Sequence, residues 1–316
     1  MSHRAEASAL VEAIVELLAG KYIFPDCAAK AASLLRAHLE AGAYDLSIGP
    51  ELCQRLSDDL YTACEDKHLR LIWYESAEAS QDEASLVAAL REMFRLENQG
   101  IRRVERLPGN VGFIELTLIP EAEAAGPAIT AAMQLVQHTH ALILDLRGTR
   151  GGAPDGVALL CSHLFSGEPV HLNDIKEGAD GTIHQYWTMA YVPGPRYDKP
   201  VYVLTSAQTF SGGEELAYDL QALGRATVVG EVTRGGAHPS AVVPVREHIE
   251  LRLPVAQSVN PVTGGDWEGV GVQPNIVTSA NDALAVAHRL ALEAISTDLD
   301  SPEASRAEAR QSLGTP

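Results

Sequence analysis

Apolar side chains return every three or four positions along the first part of the chain, at Leu10, Ile14, Leu17 and Leu18 and again at Ala32, Leu35 and Leu39. That spacing predicts helices with one apolar face, and Pro25 and Gly42 mark the breaks between them. The expectation is a small helical N-terminal domain over residues 1–69. Residues 70–108 are mixed, with a short strand from Leu71 to Tyr74 and a helix from about Glu83 to Asn98, and they read as a linker region ending at Pro108. From Asn110 onward, short apolar runs alternate with helical segments. Val111–Leu116 predicts a strand, Pro127–Val136 a helix with proline in its first turn, and Ala141–Leu146 a strand apolar enough to be buried on both faces. A helix follows from about Asp155 to Phe165. The unit then recurs as a strand at Val201–Leu204, a helix from Gly212 to Leu223 closed by Gly224, and a strand at Thr227–Val229. A strand at Ile249–Leu253, a glycine-rich loop from Gly264 to Gly271 and a helix from Asp282 to Ile295 complete the pattern. The alternation predicts an α/β core over 109–298. The polar, weakly patterned tail, 299–316, is expected to be disordered.

Composition narrows the partners. A chain of 316 residues that is 46% hydrophobic can bury a full core. Its 24 Lys and Arg against 42 Asp and Glu leave a formal charge of −18, which disfavours nucleic acid and anionic membrane surfaces. No segment approaches the roughly 20 apolar residues of a membrane span, and Met1–Leu10 has no apolar run behind basic residues. A cytoplasmic protein without membrane insertion is expected. Cys27, Cys53, Cys64 and Cys161 form no C-x-x-C pair, so free thiols are expected rather than a metal site, and no cofactor motif is present.

Two loops stand where ligands collect in parallel α/β sheets, beyond the carboxyl ends of strands. The first runs Asp145-Leu146-Arg147-Gly148-Thr149-Arg150-Gly151-Gly152. Glycines there can turn backbone N–H groups toward an anion, although a tight turn needing positive φ would read the same way. The second runs from Thr205 through Thr209-Phe210-Ser211-Gly212-Gly213-Glu214-Glu215 into a helix. Ser211 fits an ordinary N-cap, and Glu214 completes an S-x-x-E capping box. Gly212 and Gly213, however, are poor helix formers that a simple cap does not require. They suit close approach by a substrate, with the N–H of Gly212 joining that of Gly151 or Gly152 in an oxyanion hole.

The Ala141–Gly152 string, the Thr-Phe-Ser-Gly-Gly-Glu-Glu run, Leu223–Glu231 and Trp267-Glu268-Gly269-Val270-Gly271-Val272-Gln273-Pro274 resemble the S41 peptidase superfamily. They are most similar to its interphotoreceptor retinoid-binding-protein-like and tail-specific protease branch. The similarity continues N-terminally through Tyr22-Ile23-Phe24-Pro25 and Asp66-Lys67-His68-Leu69. The resemblance implies an α/β core of the crotonase type with a small helical N-terminal domain, and peptide hydrolysis. It also carries departures. The base lysine of tail-specific proteases falls on Gly236, Thr149 stands where asparagine is usual, and Asn275 where aspartate is usual. Tricorn-type members draw a histidine and a glutamate from positions that match His68 and Glu268, while Lys67 replaces their further serine.

The resemblance therefore implies Ser211 as nucleophile, His68 as base and Glu268 as the carboxylate that orients it, with Gly212, Gly151 and Gly152 supplying the oxyanion hole. A histidine suits such a role because its ordinary pKa of about 6.5 lets it take and return a proton near neutrality. His238, in the loop after the strand that follows the Ser211 helix, is the rival base. His138 and His140 end a helix and read as exposed, and Trp187, Tyr191 and Tyr197 flank Pro193-Gly194-Pro195 in a long loop that either covers a pocket or packs on the core. The expected reaction is acyl transfer to water through an acyl-Ser211 intermediate, on a peptide or a peptide-like amide or ester. Two alternatives stand beside it: a non-catalytic module binding an apolar ligand such as a retinoid or fatty acid, and a biosynthetic acyl-transfer or cyclisation enzyme. The partner is a peptide or a small apolar or acyl substrate, and oligomerisation is left open.

Overall fold

The computed structural model describes residues 3–75, 83–178, 180–194 and 196–314, so Pro195 and parts of the expected linker and tail lie outside the described residues. In chain order the first elements are α1 (His3–Lys21), α2 (Pro25–Glu40), α3 (Pro50–Cys64), β1 (Arg70–Trp73), α4 (Glu83–Leu96), β2 (Ile101–Leu107) and β3 (Val111–Leu116). Then come α5 (Ala122–Val136), β4 (Ala141–Asp145), α6 (Pro154–Ser162), β5 (His171–Glu177), β6 (Ile183–Trp187), β7 (Val201–Thr205) and α7 (Gly212–Ala222). The remainder are β8 (Ala226–Gly230), β9 (Ser240–Arg246), β10 (Ile249–Pro254), β11 (Ala256–Val259), β12 (Ile276–Val277), α8 (Ala283–Thr297) and α9 (Glu303–Leu313). They form two compact units.

The first unit comprises Met1–Val87, Asp174–His184 and His238–Val259. Proline opens both α2 and α3, where its missing N–H is no loss. Glu65, left-handed at φ 54°, ends α3. The apolar stripes foreseen at Leu10, Ile14 and Leu18 and at Leu35 are buried, together with Leu52, Leu56 and Leu60 of α3. They close on an antiparallel sheet, β1-β10-β9, through Leu71, Ile249, Leu251 and Leu253. This unit is thus helical but not only helical, because the chain returns to it after residue 238.

The second unit comprises Ala88–Asn173, Gln185–Ala237 and Asn260–Pro316. Its sheet has the order β12-β8-β7-β4-β3-β2, parallel from β12 to β3 with β2 antiparallel at the edge. Every residue of β4 is buried, as its unbroken apolar run requires. Leu142 and Leu144 pack on one side with Val157 of α6 and Leu216 of α7, and Ile143 on the other with Ala287 and Ala291 of α8.

Three expectations need correction. Residues 70–108 are not a linker, for they supply β1, α4 and the edge strand β2. The tail is not disordered: α9 buries Ala309 in the core formed with Ala287, Ala291 and Leu292 of α8, and Glu308 pairs with Arg106 at 2.5 Å. One small buried alanine left too little apolar periodicity to read. Finally, Pro127 lies inside α5 rather than at its start, and the helix begins at Ala122, whose N–H donates to Asp155 Oδ2 at 3.0 Å.

The side of α7 that packs into this unit carries two fully enclosed acids one turn apart, Glu215 and Asp219. Asn173 Nδ2 donates to Glu215 Oε1 at 3.1 Å and Asn260 Nδ2 to Asp219 Oδ1 at 2.9 Å. Burial, with the charge of Glu215 added, pushes the Asp219 carboxyl well above the usual range. A folded-state pKa above the unfolded one means that the folded protein binds more protons, so this site's stability is present at acidic pH and falls as pH rises past about 4. Melting temperature is expected to decline between pH 5 and pH 8, and Asp219→Asn should flatten that decline; an unchanged slope in the variant would contradict the assignment.

Candidate active site

β4 and β7 are neighbours in the parallel sheet, and the two glycine-bearing loops leave their carboxyl ends together. Side-chain hydroxyls tie the loops to each other's backbone. Ser206 Oγ donates to the Arg147 carbonyl at 2.7 Å and Thr209 Oγ1 to that of Leu146 at 2.8 Å, while the Phe210 N–H donates to the Thr149 carbonyl at 3.0 Å. Thr149, fully buried, anchors its own loop through Oγ1 on the Leu116 carbonyl at 2.7 Å. Between these bonds the glycines meet. A methyl group on Gly212 would lie 2.7 Å from Gly152 N, and one on Gly213 would lie 2.7 Å from Thr149 Cγ2.

Ser211 stands at the junction of loop and α7 with φ 54° and ψ −123°. A serine held at positive φ stores about 1–3 kcal/mol of backbone strain, which persists only where the surroundings impose it. A strained strand-to-helix turn is also how a nucleophilic hydroxyl is lifted out at the end of a sheet. A methyl group at Gly151, itself at φ 146°, would sit 3.4 Å from Ser211 Cβ and 3.8 Å from its Oγ. Among the described residues, the N–H groups of Gly151 and Gly212 meet no backbone acceptor. Ser211, Gly212, Gly151 and Gly152 are therefore brought together at the positive end of α7.

Glu214, foreseen only as a capping partner, is fully buried. Its Oε2 accepts the Ser211 N–H at 2.8 Å and the Gly236 N–H at 2.9 Å, and its Oε1 accepts Thr233 Oγ1–H at 2.5 Å and the Gly235 N–H at 2.6 Å. Burial pushes this carboxyl up to about 7 against the pull of those four donors. Glu268, half-buried, accepts the N–H of Ala237, and the indole N–H of Trp267 donates to the Gly236 carbonyl at 2.8 Å.

The histidines belong to the other unit. There His238 Nδ1 lies 2.9 Å from Asp66 Oδ2, with both side chains buried. Tyr22 donates its hydroxyl to the same oxygen at 3.2 Å, and the backbone N–H of His68 donates to Asp66 Oδ1 at 2.9 Å. Phe24 packs against the His238 ring at 4.9 Å. Burial pushes Asp66 up, but the hydrogen bond and charge of His238 outweigh it and hold the carboxyl below its ordinary range. Burial depresses His68 to about 4, despite the nearby Asp66. Asp66 was missed as a site residue; its signal was an acid inside the Asp66-Lys67-His68 run itself.

The other aromatic and histidine candidates are structural or peripheral. Tyr197 is buried with its hydroxyl 3.0 Å from Thr139 Oγ1, Trp187 stacks on His171 at 4.3 Å, Tyr191 is exposed, and His140 Nε2 lies 3.1 Å from Ser305 Oγ. The four cysteines are free thiols.

A parallel α/β core that presents a strained serine at a helix N-terminus, packed on a second glycine loop, defines the class: an α/β protein with the framework of a serine acyl-transfer site. The chain belongs to peptidase family S41, whose model matches residues 110–278; the N-terminal domain of Peptidase_S41 in eukaryotic IRBP matches residues 1–104. A carboxy-terminal-processing protease of Bartonella bacilliformis is 28% identical over 179 residues, 54% of this chain and 39% of that protein. The chain thus spans about two fifths of that curated relative's length. Among solved structures, a Parabacteroides merdae protein superposes with a TM-score of 0.64 at 16% identity, covering 90% of this chain and 96% of the other. The photosystem II D1 C-terminal processing protease does so with a TM-score of 0.54 at 15% identity, covering 87% and 94%. These likenesses bear out the expected fold.

Three donors converge on buried Asp66, and hydrogen bonds to a charged group contribute about 1.5–3 kcal/mol each. Asp66→Asn should lower stability at pH 7 by about 2–3 kcal/mol in equilibrium denaturation. A depressed folded-state pKa stabilises above the unfolded value and is lost as pH falls through the folded one, so the gap between the two proteins should close below about pH 4. A pH-independent gap would refute the charge's role.

Proposed function

We propose that the chain is a serine peptidase acting on a peptide, or a peptide-like amide or ester, through an acyl-Ser211 intermediate. The observation that carries this reading is the strained turn of Ser211 packed against Gly151 and Gly152. In the reaction His238 takes the Ser211 hydroxyl proton as Oγ attacks the carbonyl carbon. The N–H groups of Gly212 and of Gly151 or Gly152 receive the developing oxyanion. The protonated imidazole then returns the proton to the leaving amine or alcohol, and water releases the acyl group by the same steps reversed.

His238 is preferred to His68 as base on physical grounds. Asp66 accepts at Nδ1 of His238, which fixes the proton there, leaves the lone pair on Nε2, and stabilises the imidazolium that forms. His68 offers Asp66 its backbone N–H, and a ring held neutral down to about 4 is a weak base for a serine hydroxyl. Glu268 enters as a group that holds the backbone at Ala237, immediately before His238. The relatives that are named carboxy-terminal-processing proteases support a peptide substrate. A cytoplasmic setting is part of the same proposal, supported by the free thiols. Among the described residues no helix is long and apolar enough to cross a membrane.

A fluorophosphonate probe should label Ser211, because only a serine with a base and an oxyanion site reacts readily with it. Ser211→Ala should abolish labelling, His238→Ala should slow it by about 10²–10⁴, and His68→Ala should change it far less. Labelling should fade as pH falls and the base protonates. A folded protein inert to the probe, yet binding retinol or fatty acid equally well with Ser211 or Ala at that position, would replace the hydrolase by an apolar-ligand module. Strong loss in His68→Ala and none in His238→Ala would return the base role to His68.

A further inference from the structure

A capping box needs one bond from Glu214, to the Ser211 N–H. The other three bonds have no part in starting a helix. They reach Thr233, Gly235 and Gly236, all in the loop that follows β8. The far side of that loop is held equally closely. Thr233 Oγ1 also accepts the Val272 N–H at 2.7 Å, Trp267 Nε1–H donates to the Gly236 carbonyl at 2.8 Å, and the Ala237 N–H donates to Glu268. Gly235 is left-handed at φ 79°, and a methyl group there would lie 3.0 Å from Gly269 C and Gly271 N. The loop is therefore wedged between one carboxylate and the Trp267–Val272 segment, and its next residue along the chain after Ala237 is His238.

Burying a carboxylate costs several kcal/mol unless its lone pairs are filled. All four donors filling this one come from two loops, Ser211 from one and Thr233, Gly235 and Gly236 from the other. We propose that Glu214 is a positioning residue, whose carboxylate locks the strained Ser211 turn to the Thr233–Gly236 loop and so fixes the chain's approach to His238. The lock itself is a matter of geometry within one unit; its kinetic consequence rests on the hydrolase reading above. Geometry of this kind is worth much in rate, since displacing a reacting group by 1 Å can cost about a hundredfold.

Glu214→Gln is the discriminating variant. An amide has one acceptor oxygen, so its NH2 must face either Ser211 and Gly236 or Thr233 and Gly235, donor against donor. Two quantities are measured on the full chain: hydrogen exchange at the amides of Ser211, Gly235 and Gly236, and fluorophosphonate labelling resolved into its saturating rate and its half-saturating concentration. In Glu214→Gln the three amides should exchange faster together, while those of β4 and β7 stay protected. The saturating rate should drop by about a hundredfold, with the half-saturating concentration nearly unchanged. Faster exchange at Ser211 alone would reduce Glu214 to a helix cap and overturn the lock. A wild-type saturating rate in a folded variant would overturn the positioning role. Should Glu214→Gln fail to fold, Thr233→Val removes one of the four donors, together with the acceptor of the Val272 N–H, and faster exchange at Gly235 and Gly236 is expected with a several-fold slower saturating rate; no change in either overturns the proposal. Wild-type protein that never labels would refute the hydrolase reading, while the exchange data would still decide the lock.

Discussion

Gly212 approaches Gly152 so closely that it tolerates no side chain, and the rest of the site follows from that contact. Two backbone segments can pack this tightly only if something other than apolar side chains holds them. Here the holders are hydroxyls. Ser206, Thr209 and Thr149 each donate to a main-chain carbonyl, filling acceptors that strand ends would otherwise leave open. The same tightness sustains the positive φ of Ser211, since relaxing the turn would drive the serine's neighbours into the opposite loop. Close glycine contact, hydroxyl bracing and serine strain are three aspects of one arrangement.

The buried acids differ in how many donors face them. Asp66 and Glu214 are enclosed but saturated with donors, so each organises its surroundings without leaving charge unanswered. Glu215 and Asp219, one and five positions further along α7, receive one side-chain donor each, from Asn173 and Asn260, and burial pushes both toward their protonated forms. Burial pushes both members of the Glu-Glu pair up to about 7, so what distinguishes them is their partners: four donors from two loops face Glu214 and one side-chain amide faces Glu215.

Much of the fold was legible because its signals are local. The unbroken apolar run of β4, the repeat of strand, glycine loop and helix, and the stripes of α1 and α2 all state their environment within a few residues. What failed was non-local. Strands β9 and β10 join a sheet with β1 across a long separation in sequence, so the first unit could not be read as a segment ending at residue 69. Helix α9 shows one buried alanine and no apolar stripe, so its order depends on α8. The partnership of His238 with Asp66 spans 172 positions, and no spacing rule reaches that far. The glycine and serine cluster was legible because a parallel sheet sends neighbouring strand ends to one edge.

The conflict between reading Ser211 as a cap and as a nucleophile resolves in the same terms. In a capping box the serine hydroxyl accepts the N–H of the third helical residue. Here the N–H of Glu214 faces both the side chain of Ser211 and its carbonyl oxygen, the latter at 2.7 Å, and the Glu214 carboxylate returns to the Ser211 N–H. Backbone and carboxylate between them meet the needs of the helix start. What sets Ser211 apart from an ordinary cap is its positive φ, where a cap residue has an extended backbone. Capping and catalysis are then not rival uses of one hydroxyl: accepting the Glu214 N–H occupies a lone pair and leaves the proton for a base, while the buried glutamate holds the strained turn in place.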